Sequence, residues 1–229
     1  DPRGHGMSSG KRGVYTLGEL VEDALAAVDH ARSLYGGRVA VSGSSQGGMV
    51  AFYCAAADPR LGAAVCHNVI APDEPDNERM TRWPALFRPL LALSRTSPVR
   101  AMTRTPLGRL MTPVRAYLNL KEEPCRLFPD VMKFLREDPL VVNAVSLSAL
   151  ASLGTTPLAV GVEEIKTPVM VVHSGKDNIF PEDYVRRIYG RLTCEKEFLY
   201  LPDKPHLVMI DYVEEIVPPI AAWLKKVMR

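Results

Sequence analysis

Apolar residues set the frame of this chain through their spacing. Between Thr16 and Tyr35, Leu17, Leu20, Val21, Leu25 and Val28 recur at helical intervals, and Gly36-Gly37 closes the run. Arg38 to Ser42 (RVAVS) then reads as a short β-branched strand. Gln46 to Ala57 (QGGMVAFYCAAA) has helical length and stops at Asp58-Pro59, and Leu61 to Ile70 reads as a second, buried strand. Apolar strands alternating with helices predict an α/β fold, a mostly parallel sheet with helices on both faces.

The pattern changes at Ala71. From there to about Gly154 prolines and arginines are frequent, helical patterns such as PALFRPLLALS and FPDVMKFLRE are short, and no strand is expected. The content of Leu, Phe and Met argues against a disordered linker, so this stretch is expected to be a helical insertion. The alternation resumes with PVMVVHSG from Pro168, a helix over about Glu182 to Leu192, the strand EFLYL, and a last helix over about Val213 to Val227.

Composition narrows the function classes. The chain has 229 residues, 47% of them hydrophobic, enough for one sizeable core or a core plus a small accessory domain. A net charge of +2 gives no reason to expect a nucleic-acid partner. No apolar run approaches the roughly 18 residues of a membrane span. The cysteines Cys54, Cys66, Cys125 and Cys194 lack paired spacing, so buried free thiols are expected rather than a zinc site or disulfides, and a cytoplasmic location follows. Any targeting segment would precede Asp1.

Chemistry enters with GSSQGG after the first strand. In a G-x-S-x-G turn the serine stands on a sharp strand-to-helix bend, and flanking glycines avoid collisions with neighbouring backbone. Ser45 has glycine at both offsets, Gly43 and Gly47, whereas Ser44 has Ser42 and Gln46. Ser45 is therefore the candidate nucleophile, with the Gln46 backbone N–H placed to stabilise an oxyanion. A plain glycine-rich turn is the alternative; a phosphate loop would end in Lys-Ser/Thr, which is absent.

A serine nucleophile needs a base and an orienting acid. Asp177 lies just past PVMVVHS, and His206 lies in LPDKPHLVM just past EFLYL, so the order is Ser, Asp, His. Elsewhere His30 is expected at the surface, His173 buried within a strand, and His5 holding the opening loop. His67 and Asn68 are expected to line a pocket, and Asp203 is a weaker choice of acid. No metal and no organic cofactor is needed.

Together DPRGHGMSSG, GSSQGG and the Asp177 and His206 loops resemble the α/β-hydrolase superfamily, in its serine aminopeptidase-like and monoacylglycerol-lipase-like branch. The resemblance implies a hydrolase core over residues 1–70 and 162–229, and a helical cap over 71–161 roofing the active site. It also implies strands ahead of the RGHG loop, one of which pairs with RVAVS and supplies the second oxyanion donor. Those N-terminal strands are absent from this chain, so RVAVS is expected to have a bare edge. The chain is expected to be the carboxy-terminal portion of a longer polypeptide, completed by a companion N-terminal fragment or covered by a homo-oligomer.

The expected activity is cleavage of small-molecule carboxylic esters, with short to medium acyl chains, on a Ser45–His206–Asp177 triad. An aminopeptidase or other amide hydrolase on the same triad is the first alternative. A catalytically inactive ligand-binding module of the same fold is the second. Leu86, Phe87, Leu90, Leu91, Leu93, Leu107, Leu110 and Met111 are expected mostly to pack the cap onto the core, with an arginine-rich face (Arg79 to Arg115) opposite.

Overall fold

A computed structural model describes residues 1–120 and 123–229, leaving aside the side chains of Arg100 and Leu135. The elements begin with α1 (Leu17–Tyr35), β1 (Ala40–Ser44), α2 (Gln46–Ala57) and β2 (Ala63–His67). Then come α3 (Pro84–Ser94), α4 (Ser97–Thr103), β3 (Met111–Pro113), α5 (Val114–Tyr117), α6 (Val131–Glu137), β4 (Ala144–Ser146) and α7 (Leu147–Thr155). The chain closes with β5 (Val169–Ser174), α8 (Glu182–Arg191), β6 (Lys196–Leu201), α9 (Val208–Asp211) and α10 (Val213–Val227). It divides into two compact units, Ala24–Glu74 with Pro157–Arg229, and Asp1–Asp23 with Pro75–Thr156.

The first unit holds a parallel sheet in the order β1-β2-β5-β6. Val65 and Met170 are Cα partners across β2 and β5, as are Gly43 and Cys66 across β1 and β2. Ala63, Val65, Met170 and Val172 form one face of the core with Trp223 and Val227 of α10. The alternate residues Ala64, Cys66, Val169 and Val171 are also buried, which is why both strands read as unbroken apolar runs. Helix α10 persists through Pro218 and Pro219 because Ile216, Trp223 and Val227 are buried along one side, and packing outweighs the hydrogen bonds proline removes. Strand β1 is an edge of this sheet, as expected. It covers Ala40–Ser44 rather than Arg38–Ser42, since pairing with β2 carries Gly43 and Ser44 into the ladder despite poor strand propensity. All four cysteines are free.

In the second unit the expectation of no strand is corrected: β3 and β4 pair antiparallel, Thr112 opposite Val145. Gly13 locks against them, since its N–H and C=O bond to Gly4 O and from Ser146 N at 2.9 and 2.8 Å. It has φ 75°, and a Cβ there would stand 2.1 Å from Ala144 O, so only glycine fits. Leu17 N donates to Ser152 Oγ of α7 at 2.8 Å, and Arg3 grips the Asp23 carboxylate with its backbone and guanidinium. His5 holds the opening loop as expected, with Nδ1 at 3.0 Å from Arg3 O and its ring on Tyr15. A second correction concerns the leucines: Leu86, Leu90, Leu93, Leu107, Leu110 and Met111 are exposed rather than packed.

Candidate active site

Ser45 sits between β1 and α2 with φ 55° and ψ −119°, a conformation costly for a residue with a side chain. A serine preceding a helix usually spends its hydroxyl capping the first turn; Ser45 makes no such bond. Its backbone N–H is held instead, donating to His67 O at 3.0 Å. Ser44, one residue earlier, turns its hydroxyl into the fold and meets His67 Nδ1 at 2.9 Å. The two serines thus differ as the turn geometry requires: one hydroxyl is committed, the other is not.

The glycines act differently from the expected pattern. A Cβ on Gly43 would lie 2.1 Å from Gly47 O, so Gly43 is sterically obligatory. At Gly47 a Cβ would meet nothing within 4 Å, so the expected steric role for Gly47 is corrected. Its neighbour Gly48 carries that role, because a Cβ there would stand 2.2 Å from His67 O. The Gly-Gly doublet was the available signal.

Asp177 and His206 come together from loops at the ends of β5 and β6. Those loops are laced by Gly175 N to Leu201 O at 2.8 Å and Lys176 N to Lys204 O at 2.9 Å. Gly175 permits the approach, since its Cβ would lie 2.3 Å from Pro202 O. Asp177 Oδ2 then meets His206 Nδ1 at 2.8 Å, and Oδ1 accepts from the N–H groups of Ile179 and Phe180 at 2.8 and 2.9 Å. Burial raises the Asp177 pKa, but the His206 bond, its charge and the two backbone donors outweigh it, leaving the carboxyl at about 2. Phe180 stacks parallel to the His206 ring at 5.8 Å, fixing its plane. Asp203 is exposed and pairs with Lys176, away from this arrangement.

Behind the pair lies a buried polar layer. Asn68 Nδ2 donates to Asp177 Oδ2 at 2.8 Å, and Asn68 Oδ1 meets His173 Nδ1 at 2.8 Å. Burial lowers the His173 pKa, keeping the ring neutral. His67 lies with its ring 5.4 Å from that of His206; burial, then the nearby His206, push its pKa down to about 3. His67 and Asn68 have no exposed surface, which corrects the expectation that they line a pocket: Asn68 holds Asp177 from within, and the His67 ring meets the hydroxyls of Ser44 and Ser174. Ligand atoms of His67, Asp177 and His206 fall within 4.8 Å of one another, but an ion there would have to displace the Asp177–His206 bond.

The serine turn thus follows a strand, and the acid and histidine lie on successive later loops; a family profile also matches the chain. The serine aminopeptidase S33 profile matches residues 1–212. This chain belongs to that family of α/β hydrolases. Among solved structures, the S33 chain is similar to the monoacylglycerol lipase of Paleococcus ferrophilus. The two share 25% identity and a TM-score of 0.71 over 96% of this chain and 79% of that one. A thermophilic esterase from Thermogutta terrifontis is 22% identical with a TM-score of 0.65, covering 100% and 79% of the two chains. The enol-lactonase of Burkholderia xenovorans LB400 is 21% identical with a TM-score of 0.58, covering 98% and 79%. These last two show the fold alone. No curated protein sequence matches the chain.

Proposed function

We propose that this S33-family hydrolase cleaves carboxylic esters of short to medium acyl chain through an acyl-enzyme on Ser45. The observation that carries the reading is the 2.8 Å bond from His206 Nδ1 to a buried, ionised Asp177, beside a strained turn whose serine hydroxyl caps nothing. Ser45 Oγ attacks the ester carbonyl while His206 Nε2 takes its proton, and Asp177 stabilises the imidazolium. The Gln46 N–H, first in α2, donates to the oxyanion. The tetrahedral adduct collapses, the C–O bond to the alcohol breaks, and His206 returns the proton to the leaving alkoxide. Water, deprotonated by His206, then attacks the acyl carbon; the bond to Ser45 Oγ breaks, His206 returns the proton to Ser45, and the acid is released.

The family description favours peptide substrates as the second reading. Against it, a free amino-terminus calls for an uncommitted acid. Asp73 and Glu74 are instead paired with Arg191 and Arg187, and Glu78 with Arg88.

A fluorophosphonate probe should label the wild-type protein and leave Ser45→Ala unlabelled. Hydrolysis of p-nitrophenyl esters of increasing chain length should exceed that of aminoacyl p-nitroanilides. Equal labelling of Ser45→Ala overturns the nucleophile; faster nitroanilide turnover replaces the ester reading with the peptidase one; absence of labelling and turnover in the wild type favours a binding module.

A further inference from the structure

From Thr81 to Leu120 the chain carries seven arginines and no aspartate, glutamate, lysine or histidine. The whole chain is only +2, so positive charge is concentrated here and the remainder is net acidic. The side chains of Arg82, Arg88, Arg95, Arg104, Arg109 and Arg115 are all exposed. Arg88 pairs with Glu78. Among the described residues no carboxylate lies within ion-pair reach of Arg82, Arg104, Arg109 or Arg115.

Apolar surface lies amid these charges. Trp83, Leu86, Leu90 and Leu93, spaced three, four and three apart, form a stripe along α3 with exposures of 53, 59, 49 and 53%. The helix does not need this stripe to pack. Phe87 and Leu91, on another side, are half-buried, and Leu91 Cδ1 reaches 2.3 Å from where a Cβ on Gly154 of α7 would stand. Leu107, Leu110 and Met102 add further exposed apolar surface in the same stretch.

A short helix with one Trp/Leu face among arginines has the composition of a segment that lies in a lipid headgroup layer. We propose that the stretch from Arg82 to Arg115 docks this protein on a surface of anionic amphiphiles, with the Trp83–Leu93 stripe inserted and the arginines on the headgroup anions. Charge complementarity names the occupant: Arg82, Arg104, Arg109 and Arg115, free of ion pairs among the described residues in a stretch whose sequence holds no acid, favour an anionic surface, with each basic group near such a surface adding to binding. The leucines favour lipid over nucleic acid, whose binders set stacking aromatics among their basic residues. Helix α3 has 11 residues, and no helix among the described residues is long and apolar enough to cross a membrane, so the contact is peripheral.

The test is co-sedimentation of the full chain with vesicles of phosphatidylcholine alone and of phosphatidylcholine with 30% phosphatidylglycerol, about a third of the headgroups being anionic. Binding is expected on the anionic vesicles, weakening as salt rises. Leu86→Glu/Leu90→Glu should reduce it by more than about tenfold, and Arg104→Glu/Arg109→Glu by about tenfold, with unchanged circular dichroism spectra. The Ser45→Ala protein should bind as the wild type does, which separates this inference from the esterase reading. Binding to neither vesicle, equal binding to both, or equal retention of the leucine variant overturns the proposal. Tighter binding to duplex DNA than to anionic vesicles, insensitive to the leucine changes, replaces it with a nucleic-acid surface.

Discussion

Asn68 donates its side-chain N–H to Asp177 Oδ2 at 2.8 Å, the same oxygen that meets His206 Nδ1 at 2.8 Å. One carboxylate oxygen therefore carries both the imidazole and a buried amide, and the amide is in turn fixed by His173. Asn68 has φ 69°, a left-handed backbone that asparagine adopts more readily than most residues.

The Asn68 contact predicts a lowered kcat with little change in KM. Asn68→Gly keeps the backbone easy and deletes the amide, and should lower ester turnover by about tenfold while costing about 1–3 kcal/mol of stability. Asn68→Ala should be less stable still, from the added strain. Steady-state kinetics and urea melts check both. Asn68→Gly with wild-type kcat would remove Asn68 from any positioning role.

The glycines around Ser45 should separate cleanly on substitution. Gly43→Ala and Gly48→Ala each drive a methyl to within 2.2 Å of a backbone oxygen, and should lower the midpoint of thermal unfolding sharply or prevent soluble expression. Gly47→Ala meets open space and lies in the first turn of α2, so it should be neutral or stabilising by up to about 1 kcal/mol. Thermal denaturation of the three variants decides this.

Acid should weaken the fold through His67. Its folded pKa is about 3, below the ordinary 6.5, so between those values the unfolded chain binds a proton that the folded chain does not. Stability is fully present above about pH 6.5 and falls as pH drops toward about 3. Asp177, at about 2 against 3.8, adds a further loss only below about pH 4. Urea midpoints taken from pH 7 to 5 should fall, and His67→Gln should flatten that slope. A slope unchanged in His67→Gln would assign the acid sensitivity elsewhere.

Arg191 bonds to Asp73 Oδ2 at 2.6 Å, Glu74 Oε2 at 3.2 Å and Glu163 Oε1 at 2.6 Å. Glu74 is buried, and its other oxygen is held by Arg187. Arg191→Ala should lower stability by about 2 kcal/mol, and Arg191→Lys should recover only part, since a lysine lacks the forked geometry. Urea unfolding measures both.

The sheet was legible where burial is two-sided. VMVVHS is buried at every position, and its apolar run says so directly. The Asp177–His206 contact was legible because each residue follows a strand, and the sharp turn at Ser45 because glycines flank it. What escaped was set by distant partners. Strands β3 and β4 have three residues each and are separated by thirty intervening positions, with no local period to announce them. Asn68 looked like a strand end, and its contact with Asp177 arises only when two loops converge. The leucines of α3 show a helical period but not which side of the helix would be covered, because apolar residues surround it.

The Arg191 cluster has a consequence for how such proteins diversify. A single guanidinium on α8 grips the chain at Asp73 and Glu74, where it leaves the sheet-bearing unit, and at Glu163, soon after it returns. Sequence spliced between these anchor points can lengthen, shorten or change character while its attachment stays the same. The bracket makes the intervening stretch a cassette, open to divergence in length and character without retuning the loops that carry Asp177 and His206.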